Sequence, residues 1–136
     1  MKEKMVYSLD KKDEKIVALL ENLGITKVTA RALMYVAQVE ECRSVDIEQG
    51  ADLRQPEVSL AMKDLLHRGW VIKRQQKNQQ KGRPHHIYKA LYRIHELVES
   101  FEREKLQEIT NVQRGLTALK RYVAAHTELK IQGVWC

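Results

Sequence analysis

The stretch from Pro56 to Ala90 constrains the fold more than any other part of this 136-residue chain. A helix is predicted after Pro56, because apolar side chains recur there at steps of three and four residues and so share one face. These side chains are Val58, Ala61, Met62, Leu65 and Leu66. Pro56 suits the first helical position, and Gly69 suits the left-handed residue that ends a helix. The strand-like runs Trp70–Gln75 and Pro84–Ala90 follow, which predicts a helix leading into a two-stranded ribbon.

Three helices are predicted before this segment, namely Lys12–Leu23, Lys27–Val39 and Val45–Gly50. The first carries apolar side chains at steps of three and four residues, which place them on one face: Ile16, Val17, Leu19, Leu20 and Leu23. Gly24 can end this first helix. Thr26 can cap the second helix, and Ser44 can cap the third.

A long helix is predicted from Leu91 to about Ala125, because the apolar positions stay periodic there without a proline. A helix of about 30 residues is roughly 45 Å long, too long to pack fully on so small a body. A second copy of the same helix is the simplest partner for its apolar stripe. The predicted dimerisation residues are Val98, Phe101, Ile109, Val112, Leu116, Leu119 and Val123. Lys105 interrupts this stripe once. The predicted organisation is therefore a domain over residues 1–90, a dimerisation helix over 91–126, and a tail, 127–136, that no pattern assigns.

Positive charge is concentrated in the middle of the chain. The formal net charge is +6, yet residues 54–93 alone contain ten Lys and Arg against two carboxylates, Glu57 and Asp64. Mixed charges would serve solubility equally well, so a segment nearly without acids indicates a polyanionic partner. Asp64 is expected to pair with Arg68 at i+4 rather than to face that partner.

Other classes of protein are not expected. The longest apolar run, Ala32–Ala37, has six residues, far fewer than the roughly 20 that cross a bilayer. The N-terminus lacks the apolar region of a secretory signal, and Cys42 and Cys136 do not form a CxxC pair, so a cytoplasmic protein is expected. The candidate metal ligands, which do not form a recognised ligand pattern, are Cys42, His67, His85, His86 and His95. No metal, no cofactor and no enzymatic activity are predicted, because nucleophile-elbow, phosphate-loop and HExxH patterns are also missing.

Two runs carry a resemblance to a known group of proteins. The run R-Q-P-E-V-S-L-A-M-K-D-L-L-H-R-G-W-V-I-K-R (Arg54–Arg74) and the run K-G-R-P-H-H-I-Y-K (Lys81–Lys89) resemble the recognition helix and wing of the ArsR, MarR and TrmB groups of prokaryotic regulators. The resemblance covers about residues 15–95 and is closest to small members without a separate ligand domain. It implies a mainly α (α+β) fold, the winged helix-turn-helix, and sequence-specific binding of duplex DNA by a homodimer.

The residues themselves support candidate DNA contacts on this frame. The predicted helix over residues 55–68 would enter the major groove, with Gln55 suited to adenine, Leu60 to a thymine methyl and Lys63 to guanine or phosphate. The wing over residues 76–84 would meet the minor groove or the backbone, and Arg83 suits a narrow minor groove. The complete predicted set is Arg54, Gln55, Ser59, Leu60, Lys63, His67, Lys73, Lys77, Lys81 and Arg83.

Two alternatives remain open at this stage. One is a winged-helix module that binds proteins within a larger transcription or nucleic-acid assembly, with an incidental basic surface. The other is RNA binding, which is disfavoured because the aromatic residues of the basic segment, Trp70 and Tyr88, are expected in the core. The operator, the sign of regulation and any effector are not predicted, although an effector site would have to lie at the dimer interface.

Overall fold

The protein is described by a computed structural model that covers residues 8–76 and 85–129. Five helices and two strands follow one another along the chain: α1 (Lys11–Asn22), α2 (Lys27–Gln38), α3 (Ser44–Ala51), α4 (Gln55–Arg68), β1 (Val71–Gln76), β2 (His85–Ala90) and α5 (Ile94–Leu129). This order confirms the predicted mainly α (α+β) class with a two-stranded ribbon and a long final helix. The predicted ends differ from the observed ends by a few residues, as expected where helix termini fray.

Helix α1 begins and ends at side-chain and backbone signals close to those in the sequence. The carboxylate of Asp10 accepts a hydrogen bond from the Asp13 N–H, and the Asp13 carboxylate accepts one from the Asp10 N–H, both at 2.9 Å. The prediction that Gly24 ends the helix is confirmed, because its φ is +107°. The Ile25 N–H then donates to the Leu20 carbonyl at 3.1 Å, which closes the helix end.

One side of α1 differs from the prediction. Leu19 and Leu23 were expected to share one face with Val17 and Leu20, but they are 59% and 49% exposed whereas Val17 and Leu20 are buried. The buried side of α1 is centred instead on Asp13, Val17 and Leu20. Asp13 can be buried because its carboxylate accepts a hydrogen bond from the Gln38 side chain of α2 at 3.1 Å. Apolar periodicity alone could not reveal this side, since its centre is a polar residue.

Helices α2 and α3 begin in different ways. The predicted cap Thr26 is confirmed, because its hydroxyl accepts a hydrogen bond from the Thr29 N–H. The predicted cap Ser44 is wrong, since it is the first residue of α3 and Arg43 precedes the helix. The Arg43 N–H donates to the Asp46 carboxylate at 2.9 Å, so an acid inside the first turn satisfies the helix start.

Helix α4 has the two ends that the sequence predicted. The Arg54 N–H donates to Glu57 Oε1 at 2.9 Å, and Pro56 lies in the first turn. Gly69 ends the helix with a φ of +79°, and the Trp70 N–H donates to the Leu65 carbonyl at 3.1 Å. Trp70 is thereby turned into the core, where it is 7% exposed.

The two strands form an antiparallel ribbon whose register runs from Val71 opposite Ala90 to Gln76 opposite His85. Cys42, in the segment between α2 and α3, forms a single antiparallel bridge with Tyr88 of β2. The two backbone hydrogen bonds of this bridge measure 3.0 and 2.8 Å. The predicted tip of the hairpin, with Lys77, Lys81 and Arg83, lies outside the described residues.

The chain divides into two compact units after Leu97. The core of the first unit is built by α1–α4 and the ribbon, and its largest fully buried side chains include Ile25, Leu33, Ile47, Met62 and Leu65. The second unit contains α5 from Val98 onward. The whole of α5 has 36 residues and is therefore about 54 Å long. Among the described residues, no helix combines the length and the apolar character needed to cross a membrane.

Candidate nucleic-acid interface

Helix α4 presents one continuous exposed face. Five of the predicted contact residues lie on it and all are exposed: Gln55, Ser59, Leu60, Lys63 and His67. At 3.6 residues per turn they span an arc of about 140° and a length of about 18 Å. Leu60, in the middle of this face, is 64% exposed. The opposite side is buried through Val58, Ala61, Met62 and Leu65. One side of α4 is therefore anchored, and the other is open to a partner.

The two carboxylates of the basic segment are turned away from this face. Glu57 accepts the hydrogen bond from the Arg54 N–H, so its charge is used at the start of the helix. Asp64 forms the predicted ion pair with Arg68 at 3.1 Å, and the Arg68 guanidinium also lies 5.1 Å from the centre of the Trp70 ring. Along α4, every residue of which is described, the exposed face therefore carries Lys63 and His67 and no carboxylate.

The N-terminal end of α4 adds a second feature. Arg54 and Gln55 are exposed there, where the first backbone N–H groups of a helix lack intrahelical partners. The helix dipole makes this end favourable for an anion, and recognition helices contact base edges with this end. The structure thus brings six predicted residues onto one helix and its N-terminal end.

The ribbon divides its cations between two faces. Lys73 is exposed and lies opposite Tyr88, whereas its neighbour Arg74 points to the other face and forms an ion pair with Glu41 at 2.9 Å. Lys89 is also exposed and lies opposite Ile72, on the face of Arg74. Sequence analysis did not select Lys89, although the alternation of β2 would have placed it on the surface. The predicted contacts Lys77, Lys81 and Arg83 cannot be placed, because they lie outside the described residues.

Helix α5 has an exposed apolar stripe in its second half. The residues Ile109, Val112, Leu116, Leu119 and Val123 alternate at three- and four-residue steps and are 51–59% exposed. This spacing is that of a coiled-coil seam. Val98 is 45% exposed and belongs to the predicted set, and sequence analysis missed two further exposed apolar residues, Leu106 and Tyr122.

Phe101 does not belong to this stripe. It was predicted to contact a second copy, yet only 5% of it is exposed in the single chain. Lys105, the interruption of the predicted seam, lies with its Nζ 5.2 Å from the centre of the Phe101 ring and 3.2 Å from Glu108 Oε1.

Cys42 is the one cysteine that the described residues contain, and it is buried. Burial, together with the nearby charges of Asp46 and Glu41, raises the pKa of its thiol to about 12. A thiol with this pKa stays protonated at neutral pH, and it is the thiolate that attacks substrates or binds metals. Tyr35 is affected similarly, because burial, Cys42 and Asp46 raise its pKa to about 12. Within the described part of the chain, no three His, Cys, Asp or Glu side chains are grouped as metal ligands.

Helices α3 and α4 followed by the β1–β2 ribbon define a winged helix-turn-helix domain. Among solved structures, the chain is similar to TrmBL2, an archaeal chromatin protein with a novel mode of DNA binding, with a TM-score of 0.65 and 16% sequence identity. The match covers 88% of this chain, which spans 42% of the length of TrmBL2. This likeness confirms the predicted fold.

Two further solved structures are similar to this chain. S. aureus MepR in a DNA-binding conformation matches with a TM-score of 0.46 and 20% identity, over 90% of each chain. A possible transcriptional regulator from Methanosarcina mazei Go1 matches with a TM-score of 0.48 and 17% identity, over 79% of this chain and 94% of that one. No model of a protein family matches the sequence, and no curated protein sequence matches it either.

Proposed function

We propose that the chain is a sequence-specific, duplex DNA-binding regulator of transcription that acts as a homodimer. In this proposal, α4 enters the major groove and the wing over residues 76–84 lies on the minor groove or the backbone. The observation that carries it is the exposed face of α4, which is open, carries Lys63 and His67, and has its neighbouring carboxylates engaged elsewhere. TrmBL2, which has the same fold, is described as binding DNA, and this adds support.

The dimensions of α4 suit a major groove. A helix with its side chains is about 10–12 Å across, and the major groove of B-DNA is about 12 Å wide. In this groove Lys63 would donate to guanine or to a phosphate, Gln55 would pair with adenine, and Leu60 would contact a thymine methyl. Ser59 is short and exposed between them, so it can donate to or accept from a base edge. Arg54, beside Gln55 at the N-terminal end, would lie where recognition helices meet base edges, and His67 lies on the same exposed face.

The apolar stripe of α5 supports the homodimer. Residues 91–126 would form the dimerisation segment, and residues 1–90 the DNA-binding domain. A stripe with coiled-coil spacing buries itself best against an identical stripe, which is the simplest source of a partner. A two-fold symmetric dimer places two copies of α4 on one duplex, so it favours a pseudo-palindromic site with half-sites about one helical turn, or a multiple of it, apart.

Replacing Lys63 with alanine is expected to weaken binding to the preferred duplex by about tenfold, because a good side chain–base contact contributes about 1–3 kcal/mol. Fluorescence anisotropy of a labelled duplex, at two or more salt concentrations, measures this change. The matched control is Lys15→Ala, which removes the same charge from an exposed position on α1 and should change affinity by less than twofold. If Lys63→Ala and Lys15→Ala weakened the affinity for the duplex equally, the exposed face of α4 would not be the DNA-binding surface.

The salt dependence separates the two kinds of contact in the same assay. Arg83→Ala should weaken binding to all duplexes alike and lower the slope of log K against log salt by about 0.9 for each lost phosphate contact. If neither Lys63→Ala nor Arg83→Ala altered binding, the proposed interface would be wrong.

A further inference from the structure

The C-terminal end of α3 is held by groups from outside the helix. The last carbonyls of a helix have no intrahelical partner and need one from elsewhere. The Gly50 carbonyl accepts a hydrogen bond from the Leu9 N–H at 3.3 Å, and the Ala51 carbonyl accepts one from Arg31 Nε of α2 at 2.8 Å. Arg31 therefore satisfies the very last carbonyl of α3, just before the turn that leads to α4.

The Arg31 side chain is fixed from two directions. While Nε donates to Ala51, Nη1 of the same guanidinium forms an ion pair with the Glu14 carboxylate of α1. The Arg31 side chain is only 13% exposed, whereas that of Glu14 is 46% exposed. A planar guanidinium can bind two acceptors in fixed directions at once, and an ammonium group cannot reproduce that geometry. Arg31 thus joins α1, α2 and the end of α3.

The turn that leads into α4 begins directly after Ala51. Only three residues separate Ala51 from Gln55, the first residue of α4. The first of them, Asp52, is in the left-handed region with a φ of +58°, and the Leu53 N–H is bonded to the Glu48 carbonyl at 3.0 Å. This short turn of defined geometry joins the Ala51 carbonyl to the N-terminal end of α4, where Arg54 and Gln55 are exposed.

We infer that Arg31 is a positioning residue for DNA recognition: through its hydrogen bond to Ala51 it sets where the N-terminal end of α4 meets base edges. This inference rests on the proposed function. Arg31 lies outside the basic segment, its side chain is largely buried, and its charge is paired with Glu14, so it is not itself a contact to phosphate. Its loss should therefore impair discrimination between sequences and leave the electrostatic part of binding intact, since base contacts need accurate placement and phosphate contacts tolerate more.

The test compares three variants in the full-length protein. Arg31→Met keeps an unbranched stem but removes both bonds, Arg31→Lys keeps the charge without the fork, and Glu14→Gln, the matched control, removes the ion pair but leaves the bond to Ala51. For each variant we measure the dissociation constants of the selected duplex and of an unrelated duplex. We also measure how the affinity for the unrelated duplex depends on salt concentration. Circular dichroism and the titrated fraction of active protein verify that equal amounts of folded protein are compared.

The specificity ratio is the dissociation constant of the unrelated duplex divided by that of the selected duplex. We expect Arg31→Met to lower this ratio at least tenfold. The affinity for the unrelated duplex should change by less than twofold, and its salt dependence should not change. Arg31→Lys should lower the ratio at least threefold, and Glu14→Gln by less than that. An unchanged ratio in folded Arg31→Met would overturn the inference, since a merely structural role changes stability and not discrimination. If Arg31→Met does not fold, an Arg31→Lys ratio equal to that of the wild type would overturn it in the same way. A wild-type protein that does not discriminate between duplexes would instead refute the proposed function, and the inference with it.

Discussion

Replacing Gly50 with alanine is expected to lower the free energy of unfolding by about 3 kcal/mol or more. A Cβ at this position would lie 2.0 Å from Cε1 and 2.4 Å from Cδ1 of the Tyr35 ring, far inside van der Waals contact. Tyr35 is itself 7% exposed and lies on α2 within the core, so a shift of its ring would disturb the packing of its neighbours. Relief of the clash would require α3 to move away from α2, which would also displace the bond between Arg31 and Ala51. Urea denaturation followed by circular dichroism measures the change.

Gly115 provides the matched control. A Cβ at Gly115 meets no atom within 4 Å, and the residue lies in the middle of α5. The same substitution there should stabilise the isolated helix by up to about 1 kcal/mol, because alanine loses less conformational entropy than glycine. A Gly50→Ala protein as stable as the wild type would contradict the packing of α3 against Tyr35.

The double change Leu116→Asp and Leu119→Asp is expected to convert the protein to a monomer and to weaken DNA binding by about a hundredfold or more. Each leucine would bury apolar surface in the dimer worth about 1.5–3 kcal/mol per side chain, and each aspartate would place a charge in the seam. A monomer then binds a single half-site. Both leucines are more than half exposed in the single chain, so the core of the first unit does not depend on them. Light scattering coupled to size exclusion gives the mass, and fluorescence anisotropy gives the affinity.

The matched control for this change is Thr117→Asp with Ala118→Asp. These two residues lie between the leucines on the same helix, are exposed, and fall outside the apolar stripe. The control adds the same charge to the same segment. We expect the control protein to keep the mass of a dimer in light scattering. A leucine variant that keeps the mass of the wild type would contradict dimerisation through this stripe.

Several features of the fold could be predicted from local sequence because each depends on one element. Gly24 and Gly69 end helices through their own backbone freedom, and Thr26 caps a helix through its own hydroxyl. The exposed face of α4 follows from helical periodicity alone, and the pair of Asp64 and Arg68 follows from their spacing. These predictions needed no information about a distant part of the chain.

The features that sequence analysis missed depend on residues far apart in the chain. Asp13 can be buried because Gln38, 25 residues away, donates a hydrogen bond to it, and the side of α1 that contains Asp13 is buried while Leu19 and Leu23 are exposed. The role of Arg31 could not be predicted, because its acceptor is a backbone carbonyl 20 residues away and a backbone carbonyl has no sequence signal. Phe101 follows the period of the α5 stripe but is buried in the single chain. Periodicity reports which residues share a face, and it does not report what covers that face.

Duplex recognition by a symmetric dimer can be tested by selecting bound duplexes from a random DNA library with the purified protein. We predict enrichment of a pseudo-palindromic motif whose half-sites are about one helical turn, or a multiple of it, apart. The Lys63→Ala protein should enrich a motif with relaxed preference at the positions that α4 contacts. A protein that enriches no sequence and ignores duplex DNA even at low salt, where electrostatic binding is strongest, would contradict the account.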